Sequence, residues 1–361
     1  MKDSKMAKKN KAKQKLLEIK LENERRLEKV RLAEKSRKFL DSQIKGKDSC
    51  LVHQLREICD STEKDLAICS FNFENNAKAA EWNAEVLQSY NNDFAEAIQD
   101  NKNTIVSPGS EFRAIDKIKR LWQYRENWHE IEKLLTIGCV YPLKEPQDEE
   151  TRLRDLDASI ARGNHKSCIK PHLEKSLDEY IAKELRRGYL IPLPIKYLKH
   201  LKNASVIPMG MSEQFTINEE GKRVPKPRPC HDASFPMESG YNVNDDHDQA
   251  LLSPCQYGQC LRRCIHAILR IRQDYDNKTI FLIKYDFEAA YRRVNVYAPH
   301  AVLTIIVVRT LAYLLTRLPM GATSGPSTYS EISEPLFDAA NDLIADKTWN
   351  PDNLRYTTTS R

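Results

Sequence analysis

The sequence predicts a mixed α/β (α+β) fold, because segments with helical periodicity alternate with short apolar segments typical of strands. Residues 171–188 place apolar side chains at the spacing of one helical face. Residues 205–233 contain apolar pieces bounded by prolines, and two longer apolar runs follow at 279–285 and 301–308. A chain of 361 residues with this alternation can bury a substantial core.

The helices are predicted from periodicity and from the residues that end it. The segment that begins at Pro171 ends at Gly188, where a left-handed conformation can close a helix. Gly138 ends an earlier pair of packed helices in the same way. The predicted helical segments are 50–100, 111–139, 171–188, 254–273 and a helix that begins near Pro326.

The strands are predicted from short apolar runs with turn residues beside them. Glu219, Glu220 and Gly221 form such a turn, and they predict a hairpin between 214–218 and 228–233. The predicted strands are 205–211, 214–218, 228–233, 279–285 and 301–308.

The composition is that of a globular chain with some very polar segments. Hydrophobic residues make up 40% of the chain and charged residues 30%, with a mean hydropathy of −0.62. The apolar run Val302–Val308 is too short to span a bilayer, so no membrane partner is expected. The lysine-rich start after Met1 lacks the apolar stretch of a secretory signal. We therefore expect a cytoplasmic or nuclear protein whose nine cysteines are thiols.

The positive charge is concentrated at the N-terminus. The formal net charge is +6, yet residues 1–48 hold 17 Lys and Arg against 8 Asp and Glu. This arm therefore carries +9, and the remainder of the chain carries −3. A basic helical arm on a nearly neutral body suits contacts with nucleic-acid phosphates, and a solvated tail is the alternative.

Composition shifts divide the chain into four parts. The polar stretch 101–110 contains Pro108 and Gly109, and it predicts a linker before the core. The predicted parts are a basic helical arm at 1–48, a helical extension and linker at 49–110, a helical lead-in and strand region at 111–240, and a C-terminal α/β region at 241–361.

The segment Phe281–Tyr291 carries the most specific chemistry. An apolar strand ends there at Asp286, and an aromatic residue follows five positions later. Mg²⁺ prefers a few hard oxygen ligands and leaves sites for substrate phosphates, so a carboxylate at a strand end suits it. Nucleotidyl transfer with two metal ions requires at least two carboxylates on one rigid sheet. Asp286 can be one of them.

Three blocks resemble the motifs of retrotransposon and retroviral reverse transcriptases. Asp286, with an alanine and a tyrosine after it, resembles the first catalytic motif of that family. Residues 318–329 resemble the second block, a Leu-Pro-x-Gly loop followed by a proline that opens a helix. Residues 226–232 resemble the fingers strand with its Lys-x-Arg pair. The resemblance covers 163–346 and implies polymerase fingers and an incomplete palm with an N-terminal helical, basic extension.

The resemblance implies a role for each matching residue in nucleotide binding. Asp286 would be the catalytic carboxylate and a Mg²⁺ ligand. Tyr291 would lie under the sugar of the incoming nucleotide and exclude a ribose 2′-hydroxyl. Arg228, together with Lys226, would bind the triphosphate, since a guanidinium offers paired hydrogen bonds to phosphate oxygens.

The second block implies the remaining contacts. Met320 and Gly321 would line the nucleotide pocket, while Gly325 and Pro326 would shape the loop against the template strand. The implied partners are an RNA template, a DNA primer or hybrid, and deoxynucleoside triphosphates.

Each of these residues also has a structural interpretation. Asp286 could cap a helix after a strand. Tyr291 could belong to the core, and Lys226 and Arg228 could be solvent-facing charges of a strand. The acidic stretch 244–246 follows Ser239-Gly240 and is interpreted as a turn or helix cap.

One family motif does not occur in the sequence. No Tyr-x-Asp-Asp block follows Pro326, so the second catalytic carboxylate set is absent from these 361 residues. We therefore predict a fragment of an RNA-directed DNA polymerase that is inactive as given. The alternative is a non-catalytic nucleic-acid-binding protein that uses the basic arm and the fingers strands.

Overall fold

The fold combines helices with small antiparallel sheets, as the sequence predicts. It is seen in a computed structural model that describes residues 66–145, 147–252, 260–280 and 287–345. The α-helices of these residues are α1 (Ala77–Ser89), α2 (Phe94–Asp100), α3 (Ile115–Trp122), α4 (Trp128–Ile137), α5 (Glu149–Arg162), α6 (Pro171–Arg186), α7 (Cys260–Asp274), α8 (Ala298–Ala301) and α9 (Gly325–Ala345).

The strands of the described residues form three antiparallel sheets. They are β1 (Leu190–Pro194), β2 (Met209–Ser212), β3 (Phe215–Ile217), β4 (Arg223–Pro225), β5 (Arg228–His231), β6 (Ile306–Val308) and β7 (Leu311–Leu315). The largest sheet has the order β1-β7-β6, β2 pairs with β5, and β3 pairs with β4.

The three-stranded sheet forms the centre of the core. Every residue of β1 is buried, and its register with β7 places Leu190 opposite Leu315. Pairing joins strands that are far apart in the sequence, so β1 brings α6, which directly precedes it, beside the apolar hairpin β6–β7. The C-terminal end of α6 therefore lies close to two segments, one directly after Asp286 and one directly before Pro319.

Helix α1 covers β1 on the side away from β7. Asn83 is fully buried on α1, and its Nδ2 donates a hydrogen bond to the carbonyl oxygen of Pro192, at 2.9 Å. The same Nδ2 donates to the carbonyl oxygen of Asn72, at 2.8 Å. The outer carbonyl of Pro192 is therefore satisfied by a side chain and not by another strand.

Helix α6 confirms the prediction for 171–188. Pro171 occupies its first turn, where the missing N–H costs no hydrogen bond. Leu173, Leu177 and Ile181 face the core at 3% exposure or less, and burying each contributes ~1.5–3 kcal/mol. Gly188 follows with a φ of +67°, the left-handed conformation that ends the helix.

The predicted hairpin exists, but its second strand was predicted wrongly. The turn at Gly221 joins β3 to β4, so the partner of Phe215–Ile217 is Arg223–Pro225. Strand β5 instead pairs with β2, with Arg228 opposite Ser212. Pro227 separates β4 from β5 and cannot donate to a ladder, which ends the first hairpin and allows the chain to change partners.

The stretch 101–110 is packed and is not the exposed linker that its polarity predicts. Thr104 and Val106 are each 1% exposed. Asn295 Nδ2 donates to the carbonyl oxygen of Val106, at 3.1 Å, and Arg317 Nη2 donates to that of Ile105, at 2.7 Å. Polar side chains here satisfy one another and the backbone, so the core begins before residue 110.

The remaining predictions have mixed outcomes. Strand β6 is shorter than the predicted 301–308, because α8 and a 3₁₀ turn at Val302–Thr304 occupy its beginning. Most of the predicted strand 279–285 lies outside the described residues, as does the basic arm at 1–48. Helix α9 begins at Gly325, one residue before the predicted start.

The chain divides into two compact units. One includes the described residues 116–129 and 335–345, where Arg125 Nη1 and Asp338 Oδ2 form an ion pair of 2.8 Å. The other includes the described parts of 64–115 and 130–334, and it contains all three sheets. The four-part division based on composition stays a prediction.

Candidate functional site

Strand β5 presents the predicted Lys-x-Arg pair to solvent. Lys226 lies just before the strand, where its backbone N–H donates to the carbonyl oxygen of Gln214, at 2.7 Å. Arg228 begins the strand opposite Ser212, and both cationic side chains are exposed. They are therefore accessible to an anionic ligand.

The loop 318–325 packs on the other end of strand β5. A Cβ atom added to Gly321 would lie 1.8 Å from the carbonyl oxygen of His231, so only glycine allows this approach. Leu318 is fully buried and anchors the loop, whereas Met320 is 62% exposed. Arg228 and His231 are three residues apart on one strand, a distance of about 10 Å.

Gly325 and Pro326 lie where the loop becomes helix α9. The Gly325 N–H donates to the carbonyl oxygen of Ala322, at 2.9 Å, which closes a turn before the helix. Pro326 falls in the first turn of α9, where its fixed φ favours helix initiation.

Tyr291 begins a 3₁₀ turn that ends at Arg293 and lies beside the start of α9. Its partly buried ring meets the ring of Tyr329 edge-on, with centroids 5.5 Å apart and planes at 79°. The segment that follows Tyr291 is also bonded to the first residue of the loop, since the N–H of Leu318 donates to the carbonyl oxygen of Val294 at 2.8 Å. The structure therefore brings the predicted sugar-contacting tyrosine to the loop block.

Asp286, the predicted metal ligand, lies outside the described residues. Glu288, two positions further, accepts from Lys183 Nζ at 2.7 Å and from Arg187 Nη2 at 3.1 Å, both on or next to α6. These two cations hold the pKa of Glu288 at about 2. Among the residues that the structure does describe, no group of three or more His, Cys, Asp or Glu is placed to hold a metal ion.

A buried hydrogen-bonded chain runs from the sequence block at 226–232 to residues directly beside the other two, and we call it the buried relay. His231 Nε2 lies 3.2 Å from the hydroxyl of Tyr180, and that hydroxyl donates to Glu184 Oε2 at 3.5 Å. Arg292 Nε donates to the same Oε2 at 2.7 Å, and its Nη1 donates to the carbonyl oxygen of Arg317 at 2.6 Å. The relay therefore runs from strand β5 through α6 to the segments on both sides of β6–β7.

The electrostatics of the relay fix the direction of its hydrogen bonds. Burial, together with the charge of Arg292, lowers the pKa of His231 to about 3, so the imidazole is neutral at pH 7. Nδ1 of His231 has no partner within the described residues, which favours the tautomer that carries its proton on Nε2. His231 then donates to Tyr180, whose pKa is raised by burial, and Tyr180 donates to Glu184.

Two buried arginines complete the relay. The side chains of Arg292 and Glu184 are each 4% exposed, so their ion pair is desolvated. Burial lowers the pKa of Arg317 to about 10, and its guanidinium lies 4.8 Å from the ring centroid of Tyr189. Both arginines remain cations at pH 7.

Sequence reasoning missed the relay, although one signal for it was present. Glu184 falls seven residues after Leu177, which places a carboxylate on the apolar face of α6. A charged residue on a buried face requires a partner. The identity of that partner, Arg292, depends on a contact across more than a hundred residues and could not be predicted from periodicity.

The β3–β4 hairpin offers a second surface. Phe215 is 51% exposed, and the guanidinium of Arg223 lies 4.0 Å from its ring centroid. Ile217, on the same strand, is 72% exposed. An exposed ring with a cation stacked on it can accept a nucleobase on its other face.

Among the described residues, no helix has the length and the apolar composition needed to cross a membrane.

Comparisons with known proteins give no match for this chain. No family model, no curated protein and no solved structure matches the sequence or the fold.

Proposed function

We propose that the chain carries the fingers and the upstream palm of an RNA-directed DNA polymerase of the reverse transcriptase type. The observation that best supports this proposal is the mutual contact of the three sequence blocks. Residues 226–232, 281–291 and 318–329 are separate in the sequence, yet the Gly321 contact with strand β5 and the contact between the rings of Tyr291 and Tyr329 connect them. The buried relay also joins residues that lie in or directly beside these blocks. Residues that form one ligand site must lie close together in space, and these contacts bring the three blocks together.

Nucleotide binding is the activity that these blocks support. Arg228 is an exposed guanidinium at the beginning of β5, and it can form two hydrogen bonds to one phosphate. Lys226 adds a second positive charge at the same end of the strand. Met320, exposed on the loop above the other end, provides apolar surface for a base or sugar.

Template binding is the second part of the proposal. Gly325 and Pro326 form the turn between the loop and α9, beside the pocket proposed for the nucleotide. Tyr291, held edge-on by Tyr329, gives this region a rigid ring that can discriminate between sugars.

The metal requirement restricts what we propose for the chain. Mg²⁺ would be held by Asp286 and would neutralise the triphosphate. The described residues supply no ligand cluster for it, and the 361-residue sequence has no Tyr-x-Asp-Asp motif. The proposal is therefore binding of nucleotide and template by this chain, without primer extension.

A direct binding measurement tests the proposal. Fluorescence titration with N-methylanthraniloyl-dATP in the presence of Mg²⁺ should show saturable binding to the full chain. Arg228→Ala should weaken it by about tenfold, the change produced by ~1.4 kcal/mol, because a charge-assisted pair of hydrogen bonds is lost. Lys175→Ala is the matched control, because Lys175 is an exposed cation on α6 whose ion pair with Glu179, at 3.9 Å, is solvent-exposed.

Two outcomes would contradict the proposal. One is the absence of saturable binding by the unaltered chain. The other is equal weakening by Arg228→Ala and Lys175→Ala, which would indicate a general charge effect instead of a site.

A non-catalytic nucleic-acid-binding protein is the second candidate, and the β3–β4 hairpin favours it. The ring of Phe215 and the guanidinium of Arg223 form a stacking surface that does not depend on Asp286. Binding of a single-stranded RNA 20-mer should then weaken with rising salt, since phosphate contacts release counterions. Phe215→Ala should reduce binding while triphosphate affinity stays unchanged, and the opposite pattern would favour the polymerase-type site.

A further inference from the structure

Asn244 occupies a junction between strand β5 and the loop 318–325. Its Nδ2 donates to the carbonyl oxygen of Gly321 at 2.9 Å and to Ser234 Oγ at 2.8 Å. Its Oδ1 accepts from the N–H of Thr323 at 2.9 Å, and its own N–H donates to Ala233 O at 3.1 Å. One side chain therefore bonds both to the loop and to the turn that follows β5.

The geometry requires an asparagine at this position. The carbonyl oxygen of Gly321 can only accept and the N–H of Thr323 can only donate, so the orientation of the Asn244 amide is fixed. An aspartate would place a carboxylate oxygen against the Gly321 carbonyl, which is repulsive. An alanine would leave both backbone groups without these partners.

The segment that carries Asn244 is itself held firmly. Ser239 donates from its N–H at 2.9 Å and from its Oγ at 2.6 Å to Asp155, which is 1% exposed on α5. Val243, next to Asn244, is 2% exposed in the core. Asn244 thus ties the loop to a part of the fold that is anchored in a helix.

We infer that Asn244 is a positioning residue for the nucleotide pocket. It fixes the backbone of Gly321 and Thr323 and thereby holds Met320 over the end of β5 where a deoxynucleoside triphosphate would bind. It acts through the loop and does not touch the nucleotide. This inference rests on the proposed function and assigns a further residue to the same site.

Asn242 provides a matched control. It lies two residues earlier in the same turn. Within the part of the chain that the structure describes, its side chain bonds inside that turn, to the N–H of Asp245 at 3.0 Å and to the carboxylate of Asp245. Asn242→Ala removes the same chemical group as Asn244→Ala and leaves the loop contacts in place.

The experiment combines two readouts on the full chain. Hydrogen exchange at the Thr323 amide should accelerate by about tenfold in Asn244→Ala, because a ~1.4 kcal/mol easier local opening gives that factor. Titration with N-methylanthraniloyl-dATP and Mg²⁺ should show affinity that is weaker by a similar factor, while binding of a single-stranded RNA 20-mer stays within twofold. Asn244→Asp should resemble Asn244→Ala, and Asn242→Ala should resemble the unaltered chain.

The outcomes distinguish a failure of the positioning role of Asn244 from a failure of the proposed function. If the unaltered chain binds the nucleotide and Asn244→Ala binds it equally well, the positioning role is wrong and the proposed function stands. If the unaltered chain binds no nucleotide, the proposed function fails and the positioning role fails with it, even when Thr323 exchange shows that Asn244 holds the loop. Weakened RNA binding in Asn244→Ala would indicate a general structural effect and would also overturn the inference.

Discussion

The carbonyl oxygen of His231 occupies the space where a side chain at Gly321 would begin, 1.8 Å from an ideal Cβ. Gly321→Ala must therefore displace the loop or strand β5, and we expect a loss of about 2–3 kcal/mol in the free energy of unfolding. Urea denaturation measures it. Gly325→Ala is the control, because the nearest atom to its Cβ would be Pro319 O at 3.8 Å, an ordinary contact. Equal stability of the two variants would contradict the prediction.

Breaking the buried ion pair should destabilise the protein strongly. Arg292→Met leaves the Glu184 carboxylate buried without its cation, which costs about 3–5 kcal/mol. Glu288→Gln breaks exposed ion pairs with Lys183 and Arg187 and should cost less than about 1 kcal/mol.

A double variant separates the lost pair from the lost packing. Glu184→Gln in the Arg292→Met background removes the unpaired charge, so it should recover part of the lost stability. Urea denaturation of the unaltered chain, of Arg292→Met, of Glu184→Gln and of the double variant measures this coupling. If Arg292→Met unfolds at the same urea concentration as Glu288→Gln, the pair is not desolvated as the structure indicates.

Stability should fall in mild acid because of His247. This residue is fully buried against Tyr141, and neither ring nitrogen has a partner within the described residues. Burial, with a contribution from His300, lowers the pKa of His247 to about 4. The unfolded chain, with a histidine pKa of about 6.5, binds the proton more tightly. The contribution to stability is present above pH ~6.5 and is lost as the pH falls towards 4.

The His247 effect is on the order of 3 kcal/mol at full protonation. His247→Phe keeps an aromatic ring against Tyr141 and removes the titration, so its free energy of unfolding should depend less on pH between 6.5 and 4. His231 contributes in the same direction, since its pKa is lowered to about 3. An unchanged pH dependence in His247→Phe would show that His247 does not titrate in this range.

The purified 361-residue chain should not extend a primer. A DNA primer annealed to an RNA template, incubated with deoxynucleoside triphosphates and Mg²⁺, should remain at its original length. Under the proposed function Asp286 would be one metal ligand, and the sequence has no Tyr-x-Asp-Asp motif to provide the second carboxylate set. Gel analysis of a labelled primer measures this. Extension that disappears in Asp286→Ala would show that other carboxylates complete the metal site.

Local features of the fold could be predicted from the sequence. Helix α6 was predicted because its apolar residues repeat on one face and glycine follows its end, and both signals lie within 18 residues. The turn at Gly221 was predicted for the same reason. Strand partners were not, because short strands with two-residue periodicity carry no information about which strand they pair with. The prediction therefore paired strand β5 with 214–218, whereas it pairs with β2.

The candidate site shows the same limit. The three blocks were found by their residues, but their contacts depend on geometry that the sequence does not display. Gly321 is the glycine of the Leu-Pro-x-Gly pattern. The pattern shows that a glycine stands there, but it does not show that the carbonyl oxygen of His231 lies against it. The role of Asn244 was hidden in a turn signal, since a turn prediction says nothing about which distant backbone groups its side chain will reach.

The hydrogen bond from Asn83 to Pro192 also affects how the protein behaves at high concentration. Among the strands of the described residues, β1 is the outermost of its sheet, and a free edge can recruit a strand from another molecule and begin β-aggregation. Pro192 and Pro194 provide no N–H along this edge, and Asn83 already occupies the carbonyl oxygen of Pro192. The edge therefore offers an incoming strand neither donors at these positions nor that acceptor, so β1 protects the central sheet against intermolecular pairing.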